Sequence, residues 1–402
     1  MVKPVLLTLL ALSILGFVSA QGATHEHSEP GEMHGLAEGS RLLISDLDST
    51  TVSLLDLADG EVLGSFSTPG KAGSVYASPS GQYGMVVHRD ENRVSVVHSG
   101  LRLEDHGDHA DLVQGAPHVL NTLNVGREPT HYWAHGDEMA IFNDADGTIA
   151  ILNERTFGLS LEYTEVTTVQ PDHGAAVILG GTVLAGYYGL GRVDAYSRDG
   201  ELLKTLDGCP GLHGEAALSN VAAFGCEDGV LLVHIHNGEI SSTKLDNPAG
   251  TAEDVHVGTI RAHDDASVFV GNFGEALVWI DPEAETMEVI ETKTTPLRFE
   301  FDHEGEHVVA LTADGLLHVL EAASGKARGS VPVMEPLDIS DGYGTYDAPS
   351  LAVAEGAAYV GVPNVSRIVE VHLDDVSVAR QIDVGGKPGS IAVLALEGGT
   401  VH

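Results

Sequence analysis

The chain is poor in positive charge, cysteine and tryptophan, and each shortage narrows what it can be. Its 402 residues carry 20 Lys and Arg against 59 Asp and Glu, a formal net charge of −39. That balance excludes nucleic acid and anionic lipid as partners, because both are held by clustered positive charge. It suits cations. There are only two cysteines, Cys209 and Cys226, and no CxxCH signature for attached haem. After the first twenty residues no apolar run approaches the roughly 20 residues needed to cross a bilayer, so no membrane insertion is expected. The two tryptophans, Trp133 and Trp279, do not recur at any interval.

The N-terminus has the build of an export signal. Lys3 precedes an apolar run from Leu6 to Val18, and Val18-Ser19-Ala20 is a small-residue cleavage site. Residues 1–20 are read as a cleaved signal peptide, placing a soluble mature chain in the periplasm. In that oxidising setting the isolated cysteine pair is expected to be one disulfide. The segment Thr24-His25-Glu26-His27-Ser28-Glu29-Pro30-Gly31-Glu32-Met33-His34 follows. It holds too little apolar surface to bury a core, so residues 21–38 are read as a disordered His/Glu-rich metal-binding tail. Residues 39–402 are read as one domain, expected to be monomeric.

Within that domain short apolar segments recur in pairs. Leu42-Leu43-Ile44-Ser45, Met85-Val86-Val87-His88, Ala140-Ile141-Phe142-Asn143 and Val183-Leu184-Ala185-Gly186 each precede an alternating segment, as do four later copies. A period of about 40 to 50 residues is that of four-stranded propeller blades. The fold expected is an all-β propeller of eight blades, with seven possible. The chain begins with strands lacking an innermost partner and finishes with one such strand, Gly389 to Leu394. Pairing these ends closes the ring and removes open sheet edges.

Strands A to D run outward from the channel, and residues at the start of each innermost strand face one another around it. Those positions carry Glu128-Pro129-Thr130-His131, Pro171-Asp172-His173-Gly174 and Pro210-Gly211-Leu212-His213-Gly214-Glu215. Three successive blades thus offer a histidine at one structural point, and His88 ends a strand on the same face. Twenty-one histidines among so many carboxylates favour a borderline-soft divalent ion over calcium or magnesium. Zn²⁺ takes three or four such ligands tetrahedrally. Asp172, Glu215 and Asp254 are candidates to complete the shell. A disulfide between Cys209 and Cys226 would staple the loop carrying His213. Glu104-Asp105-His106-Gly107-Asp108-His109, with His118, lies in an insertion of the second blade and reads as an auxiliary site or a solvated loop. His234 and His236, alternate residues of one strand, read as structural.

The signal peptide, the HEHSEPGEMH segment, the blade repeat, PDHG and the CPGLHGE…FGCEDG pair together resemble the periplasmic zinc metallochaperones of the AztD type. The resemblance spans essentially the whole mature chain. It implies a propeller that binds zinc and passes it to the zinc-specific solute-binding protein of an ABC importer, with a His-rich N-terminus taking part. On this sequence His25, His27 and His34 would be tail ligands; His131, His173 and His213, with His88, would form the propeller site. Two other classes compete. A metal-dependent propeller hydrolase of the lactonase kind would need an open zinc position and a general base. A protein-interaction platform would carry metal only incidentally.

Overall fold

The computed structural model describes residues 39–342 and 344–396. Eight four-stranded antiparallel sheets form the propeller, and a separate two-stranded hairpin accompanies them. Eight is therefore the blade count. Closure follows the expected route. The first blade takes Pro388–Leu394 as its innermost strand beside Arg41–Asp46, with Leu43 opposite Ala392. The side chain of Arg380 then binds the Glu370 carboxylate and the Leu57 and Ala58 carbonyls, tying the last blade to the first.

The strand patterns explain the layering. Middle strands such as Tyr83–His88, Thr182–Tyr187 and Ala357–Val362 are buried along their whole length, because both faces of each sheet pack on a neighbouring blade. Outermost strands such as Val62–Ser67 and Ala327–Pro332 alternate exposed and half-buried residues after their first position, as a strand with one wet side does. The apolar core is accordingly divided into layers between blades. One layer joins Ala175, Val177 and Leu184 of the fourth blade to Leu212, Phe224 and Leu231 of the fifth. Innermost strands in turn, such as Pro129–His135 and Glu215–Leu218, bring their starts to one mouth of the channel.

The insertion in the second blade is a hairpin, Leu101–Asp105 with Ala110–Gln114, placed between that blade's third strand and its outermost strand, His118–Leu123. No helix among the described residues is long and apolar enough to cross a membrane. The expected signal peptide and the tail with His25, His27 and His34 lie outside the described residues.

Candidate metal centre

His131, His173 and His213 come together at the channel mouth, their ligand atoms all within 4.8 Å of one another. Among the described residues this is the one group of three or more His, Cys, Asp or Glu side chains so arranged. Each histidine reaches the mouth differently. The register of Pro129–His135 slips against its neighbour between Pro129 and Tyr132. Such a bulge re-aims the side chains within it, here that of His131. His173 immediately precedes the strand Gly174–Leu179. A Cβ on Gly174 would meet the Phe142 ring at 2.4 Å, so only glycine lets the backbone approach there. His213 lies in the turn before Glu215–Leu218, where Gly214 has φ +79°. That left-handed conformation is one glycine adopts freely.

All three rings are oriented through Nδ1. His131 Nδ1–H donates to both Glu215 oxygens at 3.1 and 3.0 Å. His173 Nδ1–H donates to Asp144 Oδ2 at 2.8 Å. His213 Nδ1–H donates to the Gly258 carbonyl at 2.6 Å. With Nδ1 as the donor in each ring, Nε2 is the nitrogen left to ligate. His131 Nε2 and His173 Nε2 stand 3.4 Å apart. Two nitrogens bound tetrahedrally at about 2.05 Å would be separated by roughly 3.3 Å, so this edge already has the right length. Carboxylates and carbonyls behind ligating imidazoles are the usual outer support of zinc sites. The donor set fits a tetrahedral Zn²⁺ with one position left open.

Electrostatics follow from the same contacts. Burial would lower the His131 pKa, but the charge and hydrogen bond of Glu215, with Asp144 behind, raise it above the ordinary value. Burial lowers that of His213, helped by the neighbouring His131 and His173 and only partly opposed by the Gly258 carbonyl. Burial pushes Asp144 up, yet hydrogen bonds from His173, Thr130 and Arg89 more than offset this and hold it below the usual range. Arg89 bridges Asp144 at 2.8 Å to Glu128 at 2.7 Å. The His173 side chain is 36% exposed against 16% for His131, so of these two rings His173 is the more open to solvent.

His88 is not brought into this group. It is fully buried, with Nε2 hydrogen-bonded to Ser95 Oγ at 3.0 Å and Nδ1 to the Lys71 carbonyl at 3.3 Å. Ser95 continues to Thr122 at 2.9 Å, so the ring anchors a polar chain across the second blade. The expectation that His88 lines the mouth is corrected: its strand reaches that face, but its side chain turns into the sheet packing. Asp172 is also committed elsewhere, accepting the Gly189 and Leu190 backbone N–H groups, and Asp254 is exposed. Sequence reasoning missed Asp144, although it follows Asn143 in a turn on the correct face, and the Gly258 carbonyl, which no side chain advertises.

The second-blade cluster is a hairpin turn. His106 Nε2 and His109 Nε2 lie 3.2 and 3.4 Å from the two oxygens of Asp111, while His118 stacks on His98 with ring centroids 5.1 Å apart. His234 and His236 flank the buried Ile235 on Gly229–His236. Cys209 and Cys226 form a disulfide, as expected.

No protein-family model matches the chain. It is 29% identical over 375 residues to the zinc chaperone AztD of Citrobacter koseri, covering 90% of this chain and 88% of that protein. The solved structures of Citrobacter koseri AztD, one of them the apo form, superpose with a TM-score of 0.81 at 27% identity, covering 90% of this chain and 99% of theirs. Dihydro-haem d1 dehydrogenase NirN, at a TM-score of 0.59 and 12% identity, shares the fold alone. The resemblance to AztD-type chaperones drawn from the motifs is thereby borne out along nine-tenths of the chain.

Proposed function

Starting from a chain that is AztD-like in sequence and fold, we propose that it is a zinc chaperone, holding Zn²⁺ on His131, His173 and His213 and handing it to an acceptor. The observation that carries this reading is the convergence of three imidazoles, each held at Nδ1 by its own partner. Pre-oriented imidazoles bind zinc with less ordering cost at the moment of binding. The fourth position is where an incoming ligand joins before an old one leaves, the order that transfer without free ion requires. The acceptor that the family resemblance implies is the zinc-specific solute-binding protein of an ABC importer. His25, His27 and His34 are the tail ligands in this reading, kept at high effective concentration near the mouth by their tether.

The compartment is the periplasm in this reading, and the disulfide fits an oxidising one. The chain acts as a carrier rather than an enzyme. A hydrolase at this centre would need a general base, but Glu215 and Asp144 are both spent on imidazole Nδ1 atoms.

The test mixes zinc-loaded full-length protein, and protein lacking residues 21–35, with the metal-free solute-binding protein, beside a chelator control. Full-length protein is expected to deliver zinc faster than it releases it to chelator, and the truncation to slow delivery while leaving affinity nearly unchanged. Transfer by both forms at the passive release rate would sink the chaperone reading.

A further inference from the structure

We propose that the Cys209–Cys226 disulfide is a positioning element of the metal centre: opening it weakens zinc binding beyond its effect on the fold, and bound zinc protects it from reduction. This rests on the zinc reading above. The two cysteines are 17 residues apart in sequence, and the covalent ring they close contains both His213 and Glu215. One is a candidate ligand; the other orients a second candidate ligand, His131. Two of the three imidazoles therefore depend on this one ring.

Apart from the crosslink, the buried Leu212 and the His213 bond to the Gly258 carbonyl, the loop has little regular structure to hold it. Between Cys209 and Glu215 the chain forms no strand. Its backbone is joined to neighbouring chain by Cys209 N–H to the Gly191 carbonyl (2.9 Å), His213 N–H to that of Gly225 (3.0 Å), Gly225 N–H to that of Gly214 (3.1 Å) and Glu227 N–H to that of Pro210 (2.8 Å). Three of these four bonds join the ligand loop to Gly225 or Glu227, the residues flanking Cys226. The disulfide locks together the two chain segments whose register sets where His213 stands. His213 is four residues from Cys209, so a buried crosslink limits its travel to a short radius.

Both sulfurs are fully buried, packed with Leu212 and Phe224. A reductant reaches them only when this loop opens, and the same opening carries His213 away from His131 and His173. A zinc ion bridging the three rings opposes that opening. Coupling of this kind is reciprocal, so whatever affinity reduction removes, zinc returns as resistance to reduction.

The test uses the full-length protein. In Cys209→Ser/Cys226→Ser, zinc affinity, measured by competition with a chromophoric chelator, is expected to fall at least tenfold. The tetrahedral absorption of bound Co²⁺ should weaken with it. Leu43→Ala, a cavity in the fully buried core of the first blade, is the control for lost stability. It should lower Tm by a similar amount and leave affinity within twofold. Separately, a water-soluble trialkylphosphine reduces the native protein. The phosphine becomes its oxide with oxygen from water, and the two electrons and water's two protons leave two thiols, counted with a thiol reagent. Saturating zinc is expected to slow thiol appearance at least tenfold.

Wild-type affinity in the double-serine variant, or an equal loss in Leu43→Ala, would overturn the proposal. So would tighter binding after reduction, which would make the sulfurs ligands. If the serine variant does not fold, equal reduction rates with and without zinc would overturn it. Failure of the wild-type protein to bind zinc at all would instead refute the parent reading, and the first titration shows this.

Discussion

Removing the Glu215 carboxylate tests how the centre works, because the side chain holds His131 by hydrogen bonding and acts on His213 only through its charge. It is 7% exposed, and both of its oxygens accept from His131 Nδ1. In Glu215→Ala the ring loses its orienting partner and the buried centre loses an anion. Outer-support residues of this kind are worth about 10- to 100-fold in metal affinity, or about 1.4 to 2.7 kcal/mol. Glu215→Gln, which keeps an acceptor but no charge, should fall at the lower end. Arg261, whose charge Glu215 also supports, keeps its main partner Glu300 at 2.5 Å in either variant.

The pH dependence of these variants carries the sharper signature. Glu215 raises the His131 pKa, and zinc must displace that proton. Below the raised pKa, wild-type affinity should drop about tenfold per pH unit, one proton lost per ion bound. Without Glu215 burial is opposed only by the charge of Asp144, and the drop begins at lower pH. The gap between wild type and Glu215→Gln should thus be widest in alkaline solution and narrow on acidification. Chelator competition from pH 5.5 to 8.5 measures it, with Asp172→Asn as a carboxylate control that should change nothing. A pH-independent gap, or less than a threefold loss in both Glu215 variants while His131→Ala abolishes binding, would refute the reasoning.

Alanine at His131, His173 or His213 should each cost tight zinc binding while far-ultraviolet circular dichroism is retained; unchanged affinity in all three would dissolve the shared site. His88→Ala should leave zinc affinity within threefold but cost about 1–3 kcal/mol of stability by denaturant titration, from lost hydrogen bonds and a buried void. For the metal-free protein the two shifted histidines act oppositely. The raised pKa of His131 contributes stability that is complete below the ordinary value of 6.5 and is lost as pH rises through the folded one; the lowered pKa of His213 contributes stability present above 6.5 and lost as pH falls through the folded one. Comparing Tm against pH for wild type, His131→Ala and His213→Ala separates the two.

Most of the architecture was legible because a propeller repeats one pattern: paired apolar segments at a steady spacing, a turn between them, and an unpartnered strand at each end. The histidines were legible for the same reason, since the entry to every innermost strand is one structural point. His88 misled because its strand is buried on both faces. Alternation then says nothing about which way a side chain turns. Asp144 was within reach, being in a turn on the right face, but its value depends on where His173 lands. The Gly258 carbonyl was out of reach, because any residue could supply it. The hairpin around His106 was read as a loop, although LRLED and ADLVQ flank a turn and pair along their length.

The closing strand has a consequence for how the molecule is made. Pro388–Leu394 is the last described strand to be synthesised, yet it lines the channel between Arg41–Asp46 and the second blade, where the Ser390 hydroxyl accepts the Val75 N–H at 3.0 Å. Until it arrives, Arg41–Asp46 presents a bare edge and the ring is an open arc. Pairings of such long sequence separation are slow to form. Before residues 388–394 emerge the growing chain lacks the seam and is exposed to mispairing with other chains. Truncation after Lys387 would remove this strand and leave all three histidines in place on a ring that never shuts.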